Sequence, residues 1–144
     1  MQYYQFLFIR TSFIYLLYTV LSGTAFYIWP LLAGYFRSAH VHAGLVGFFL
    51  NMVMGVAFWM MPRPGGLRQK GLEAWTYFLL NLGLASRLLL EPWMLYSGNT
   101  SLRPWLVASA LSQTAAIVVF VFAMSRRVLT TGMLQTLRER REKN

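Results

Sequence analysis

The sequence contains no cysteine and no aspartate, and only 12% of its 144 residues are charged. The absence of cysteine excludes disulfides, thiolate metal sites, iron–sulfur clusters and a cysteine nucleophile. A soluble domain carries about 25% charged residues, so the composition also excludes a water-soluble globular domain, a disordered chain, a coiled coil and a nucleic-acid-binding module. Histidine is scarce as well, because the two histidines are His40 and His42 on one short segment.

The sequence is rich in apolar residues, and most of its charged residues are basic. The chain is 57% hydrophobic and 17% aromatic, and thirteen Lys and Arg stand against four acidic residues for a net charge of +9. On so apolar a chain the basic excess indicates membrane topology and contact with lipid headgroups. The lipid bilayer is therefore the expected partner, and nucleic acid is not.

Four long apolar stretches predict an all-α integral membrane protein. A membrane-spanning helix needs about 20 apolar residues, and the gaps between charges place such helices near 9–35, 41–62, 72–97 and 104–126. Residues 1–126 are thus expected to form a four-helix transmembrane bundle. Turns are predicted at 62–66, from its prolines and glycines, and at 97–100.

The basic tail, residues 127–144, carries Leu129, Met133 and Leu137 at four-residue spacing. This spacing predicts an amphipathic C-terminal helix on the inner leaflet, with a frayed charged tail as the alternative.

Basic residues also predict the orientation of the bundle. Nine lie in the segments that follow the second and fourth stretches, whereas the opposite connections contain Arg37 and Arg103. The positive-inside rule therefore places both termini in the cytoplasm. The expected location is the inner (plasma) membrane of a bacterium or archaeon.

Ionisable residues inside membrane spans are functional candidates. His40 and His42 are two residues apart, about 200° around a helix, so they cannot both bind one metal ion while the segment stays helical. His40 lies above a face of small residues, and His42 lies above a broad apolar face that includes Phe49. Either face suits a cofactor or plain packing, and both histidines can also be ordinary interfacial residues.

Arg87 and Glu91 form a second candidate, because their i, i+4 spacing allows an ion pair. Arg87 can alternatively pair with an anionic ligand group. A third set comprises small and polar residues that suit helix packing and interhelical hydrogen bonds. Its members are Asn51, Asn81, Ser109, Ser112, Gln113 and Thr114.

The second stretch resembles a known helix. HVHAGLVGFF at 40–49, MGVA at 54–57 and MPR at 61–63 resemble the second helix of the haem-copper oxidase superfamily, which includes subunit I of cytochrome oxidases and the catalytic subunit of nitric oxide reductases. In that helix a histidine near the outer end is an axial ligand of the low-spin haem b. The resemblance covers roughly residues 8–97.

The resemblance implies haem b as cofactor, with His42 or His40 as the iron ligand. Alignment on 48–49 and Met52 favours His42, as does the broad apolar face below it, and counting back from 62–63 favours His40. The resemblance also implies cationic partners for the haem propionates. Arg37, Arg87 and Arg103 are the outer-half candidates, and Arg37 and Arg103 are better placed by depth.

Family members have many more helices, and their remaining haem and copper ligands lie on the later ones. This chain has no further histidine, so it cannot hold the oxygen- or nitric-oxide-reducing site by itself. Copper is not implied, and enzyme activity is left open. The second axial ligand is expected from a Met, from His42 of another copy, or from another membrane subunit.

Three hypotheses of function follow. The first is a membrane haem b protein for electron transfer or gas binding, acting alone, as a homo-oligomer or with other membrane subunits. The second is a structural or assembly subunit that has lost the cofactor. The third is a metal or proton pathway through the histidines, which a single pair at one depth supports least.

Overall fold

The structure of the chain, a computed structural model, describes residues 3–61 and 70–142. These residues form helices and short turns, with no strand in either range. The helices are α1 (Tyr3–Ile28), α2 (Leu32–His42), a π-helical segment (Ala43–Leu50), α3 (Asn51–Met60), α4 (Lys70–Ser97) and α5 (Arg103–Glu142), the last preceded by a 3₁₀ turn (Thr100–Leu102).

Four stretches of helix are long and apolar enough to cross a membrane. They are Tyr3–Ile28, Leu32–Met60, Lys70–Ser97 and Thr100–Arg127. The second contains α2, the π-helical segment and α3 in one continuous run. The all-helical fold and the number of candidate spans agree with the sequence, and a chain of this kind is consistent with an integral membrane protein.

The turn between the first two spans lies elsewhere than predicted. It occupies Trp29, Pro30 and Leu31, whereas the predicted boundary lay between residues 35 and 41. Proline lacks the backbone N–H and disfavours helix at the residue before it, so the helix stops at this point. Arg37 therefore lies inside α2, and His40 lies eight residues after Leu32, about 12 Å along the helix.

The other connections are closer to expectation. Gly98 adopts a positive φ of 66° and the side chain of Asn99 accepts a hydrogen bond from the Ser101 N–H at 3.0 Å, so 97–100 is a turn as predicted. The predicted turn at 62–66 lies outside the described residues.

The basic tail is not a separate helix. α5 runs without a break from Arg103 to Glu142, 40 residues or about 60 Å. The described part of 127–144 therefore continues the fourth span, and its placement on a leaflet stays a prediction.

The best-packed part of the bundle is one end. A core cluster joins the start of α1, the end of α3 and the adjoining parts of α4 and α5; its buried members are Phe8, Met54, Phe58, Leu80, Ala116, Ala123 and Met124. At the opposite end open grooves separate the helices, one of about 460 Å³ between α2 and α4 and one of about 370 Å³ between α1 and α2. The histidines lie toward this open end.

The π-helical segment packs tightly on α1. A Cβ on Gly47 would lie 2.5 Å from the ring of Tyr15, so only glycine fits there. Where the wider π turns return to α-helix, the side chain of Asn51 donates to the carbonyls of Gly47 (2.9 Å) and Val46 (3.2 Å). These bonds satisfy backbone acceptors that the change of helix type leaves without regular partners.

Candidate functional site

The two histidines contact different helices, as their spacing predicts. His40 faces α1, where its Nδ1 lies 2.9 Å from the Ser22 hydroxyl. His42 faces toward α4. It hydrogen-bonds to Ser38 on its own helix, and the Ser38 hydroxyl in turn donates to Glu91 of α4. Among the described residues, the two rings share no hydrogen-bond partner.

His40 is packed between α1 and α2. A Cβ on Gly23 would lie 3.1 Å from its Cε1, and the Phe26 ring meets it edge-on at 5.4 Å between centroids. The small-residue face predicted below His40 also packs on α1, because Cβ atoms on Gly44, Gly47 and Gly55 would meet that helix. This environment is that of a packing residue with one hydrogen bond.

His42 is held in one orientation by the backbone. Its Nδ1 lies 2.8 Å from the carbonyl oxygen of Ser38. A carbonyl only accepts, so Nδ1 carries the proton and donates it. In the neutral ring the Nε2 lone pair is then available to a ligand, and in the part of the chain that the structure describes Nε2 has no hydrogen-bond partner.

His42 lines an open groove of about 620 Å³ on the α2 surface. The lining residues are Ala33, Gly34, Arg37, Ser38, Val41 and His42 from α2, and Leu95 from α4. Gly34 leaves open space in this groove, because no atom lies within 4 Å of the place where its Cβ would be. The volume lies within the range of about 300–1,000 Å³ typical of small-molecule sites.

The groove lies on the other side of His42 from the predicted apolar face. Side chains of a helix lean toward its N-terminus, so His42 covers Ser38 and the residues before it rather than the turn that follows. Phe49 is 60% exposed and does not line the groove. Phe49 also lies in the π-helical segment, whose wider turns change the angular relation between His42 and the residues after it.

Of the three predicted cations, the structure places one in the groove that His42 lines. Arg37 is exposed and lines the same groove. Arg87 instead pairs with Glu91, with 3.1 Å between Nε and Oε2, as the i, i+4 spacing allowed. Arg103 is exposed at the start of α5 and is not a groove residue.

A polar chain connects His42 to this ion pair. The Ser38 hydroxyl donates to Glu91 Oε1 at 2.9 Å, and Arg87 binds the other carboxylate oxygen. The sequence reasoning missed Ser38. Its position four residues before His42 was the available signal, because i−4 is the position whose carbonyl a helical side chain can reach.

Four members of the third candidate set form hydrogen bonds between helices, whereas the side chains of Gln113 and Thr114 bond within α5. Ser109 donates to the carbonyl of Gly83 and Ser112 to that of Leu79, both at 2.8 Å, so α5 and α4 approach closely. Asn81 donates to Asn51 Oδ1 at 3.0 Å. These contacts are the interhelical hydrogen bonds that the small and polar residues predicted.

A single histidine and a groove suit a flat macrocycle better than a bare ion. In the described ranges no cluster of three or more His, Cys, Asp or Glu could hold a metal ion. Haem iron differs, because the porphyrin supplies four ligands and the protein needs to supply one axial nitrogen. Nε2 of His42, the open space at Gly34 and the cation Arg37 fit such a group.

Comparison with known proteins adds no assignment. No protein-family model, no curated protein and no solved structure matches this chain. The geometry around His42 is therefore the basis for a function.

Proposed function

We propose that the chain is a membrane haem b-binding protein that uses His42 Nε2 as an axial ligand and acts in electron transfer or gas binding, without its own copper centre. The observation that carries the proposal is the fixed His42 ring, whose Nδ1 donates to the Ser38 carbonyl beside an open groove. Metal-binding histidines usually donate their other ring N–H to such an oxygen, which fixes the ring and raises its basicity.

Five of the groove residues have a role toward the cofactor. His42 presents a basic nitrogen, and Gly34 leaves space for a flat ring. Val41 and Leu95 keep water from the apolar part, and Arg37 can donate charge-assisted hydrogen bonds to a carboxylate. When bound, the haem supplies an iron that exchanges one electron or binds a gas at a free axial position.

Alignment of the resemblance on 48–49 and Met52 and the geometry around the groove favour His42 for the same role on different grounds. The apolar face that first favoured it is not the groove. His42 is favoured instead by its hydrogen-bonded ring and by the neighbouring cation Arg37. His40 is the weaker candidate because its ring is packed against Gly23 and Phe26.

The proposal includes a location. Four candidate spans and the split of basic residues favour the inner (plasma) membrane of a bacterium or archaeon, with both termini in the cytoplasm. The well-packed core end then lies inside, and the His42 groove lies in the outer half.

Optical spectra of the purified protein in detergent test the proposal. We expect a Soret band and reduced α and β bands in the wild type, their loss in His42→Ala, and their retention in His40→Ala. Loss in His40→Ala with retention in His42→Ala would assign the ligand to His40. A haem band that survives in the double variant would reject both histidines as ligands.

A cofactor-free structural or assembly subunit is the second candidate. The observation in its favour is the tight packing of α1 on the second span, where Gly55 lies so close to α1 that a Cβ would be 2.9 Å from that of Phe8. Such packing serves a rigid bundle whether or not haem binds. Absence of a Soret band after expression with added haem precursor favours this candidate.

A further inference from the structure

We propose that Ser38, Glu91 and Arg87 form a positioning chain that makes the electron density at His42 Nε2 depend on the charge of Glu91. The inference deepens the proposed function and rests on it where haem is concerned. The chain itself is defined by one contact within α2, one between α2 and α4, and one within α4. None of the three residues has a hydrogen bond to Nε2.

The first step concerns the tautomer. The Ser38 carbonyl accepts from Nδ1 at 2.8 Å, and the Ser38 hydroxyl lies 3.5 Å from the same nitrogen. The Ser38 hydroxyl donates its proton to Glu91 Oε1. The lone pairs of the hydroxyl oxygen therefore remain available to the Nδ1–H. Both oxygens of Ser38 therefore favour the proton on Nδ1.

The second step concerns charge. A hydroxyl that donates to a carboxylate becomes a better acceptor, because hydrogen bonds in a chain polarise one another. The carboxylate of Glu91 thereby strengthens the hold on Nδ1–H and raises electron density at Nε2. Arg87 opposes this effect, since its Nε lies 3.1 Å from Glu91 Oε2.

The third step concerns the surroundings. Side chains of Arg87 and Glu91 are only 26% and 16% exposed, so water screens the chain less than it would at a surface. Arg37 lines the groove beside His42, so its positive charge also lies near the ring. His40 is a built-in reference, because its Nδ1 meets the neutral Ser22 hydroxyl instead.

Nitrogen NMR on protein labelled only at histidine tests the chain without haem. The two rings give four ring-nitrogen signals. The His40→Gln variant lacks the two signals of His40 and so identifies those of His42. We expect His42 in the Nδ1–H form. Ser38→Ala and Glu91→Gln should each shift the His42 Nε2 signal in one direction, and Arg87→Gln should shift it in the other, with the His40 signals unchanged.

A double-variant cycle separates coupling from general disturbance. If Ser38 carries the influence of Glu91, then Glu91→Gln has little further effect in a Ser38→Ala background. Ser38→Thr retains the hydroxyl and should restore the wild-type shift. Equal effects of Glu91→Gln in both backgrounds, or an Nε2–H tautomer of His42, would overturn the proposal.

Haem-loaded protein gives the second readout. Loss of a group behind a metal ligand typically lowers metal affinity about 10- to 100-fold. Ser38→Ala keeps the backbone carbonyl that accepts from Nδ1, so we expect Ser38→Ala and Glu91→Gln to fall near the lower end of this range. Glu91→Gln should also raise the midpoint potential, because a negative charge near the iron is removed. Failure of the wild type to bind haem would refute the proposed function, and the NMR experiment would still decide the positioning chain.

Discussion

Arg127 of α5 and Glu73 of α4 form an ion pair in the core end of the bundle, with 2.9 Å between Nη2 and Oε1. Arg127 is fully buried and also donates to the carbonyl of Phe58 at the end of α3. Gln5 of α1 donates to the same carbonyl. The pair thus joins all four spans at the end that the charge distribution assigns to the cytoplasm.

Removing one member of this pair should strongly destabilise the bundle. A buried charge without its partner costs about 3–5 kcal/mol, so we expect Arg127→Met and Glu73→Leu each to lower the melting temperature in detergent markedly. The double variant should lose less than either single variant, because no uncompensated charge remains. Arg126→Met is the control, since Arg126 is exposed.

A double variant less stable than both single variants would show that the pair is not the source of the effect. The double variant should still be somewhat less stable than the wild type, because the Phe58 carbonyl keeps Gln5 as a donor but loses Arg127.

The glycines of α2 and the π-helical segment should respond to substitution in opposite ways. Gly47→Ala places a Cβ 2.5 Å from the Tyr15 ring, whereas Gly34→Ala meets nothing within 4 Å. We expect Gly47→Ala to destabilise the protein by about 1–3 kcal/mol through overpacking. Gly34→Ala should be neutral or slightly stabilising, and thermal unfolding of the two variants side by side measures the contrast.

Sequence reasoning predicted the helical class and the number of spans because long apolar stretches leave few alternatives in a membrane. It misplaced the first turn because it used Arg37 as a boundary and overlooked Pro30. It also assumed a regular α-helix below His42, where the chain forms π-helix. Charge spacing gave the Arg87–Glu91 pair, since both residues share one helix. The Arg127–Glu73 pair is 54 residues apart in sequence, and no local pattern reveals such a contact.

Filling the groove should remove haem without unfolding the protein. Gly34→Phe places a ring in the open space beside His42, so we expect loss of the Soret band at an unchanged melting temperature. Gly34→Ala adds one methyl group at the same position and should retain most of the haem. Wild-type haem content in Gly34→Phe would mean that the haem binds elsewhere.

Arg37 should matter more to haem binding than Arg103. Arg37 lines the His42 groove and Arg103 does not, although the sequence ranked them together. We expect Arg37→Gln to weaken haem binding, because a charge-assisted hydrogen bond contributes about 1.5–3 kcal/mol, and Arg103→Gln to leave it near the wild-type value. Haem titration of the apo forms gives both affinities, and equal effects of the two changes would argue against a role of Arg37 in the groove.

Single-cysteine labelling can test both the topology and the position of the first turn. The chain has no native cysteine, so each introduced thiol is the only target of a maleimide. Leu31 is 86% exposed in the turn, and we expect Leu31→Cys in intact cells to react with a membrane-impermeant maleimide. Arg140→Cys, near the end of α5, should react only after the membrane is opened, because the positive-inside rule places it in the cytoplasm. The opposite pattern would invert the bundle, and a Leu31→Cys protein that is protected on both sides would move the turn away from Pro30.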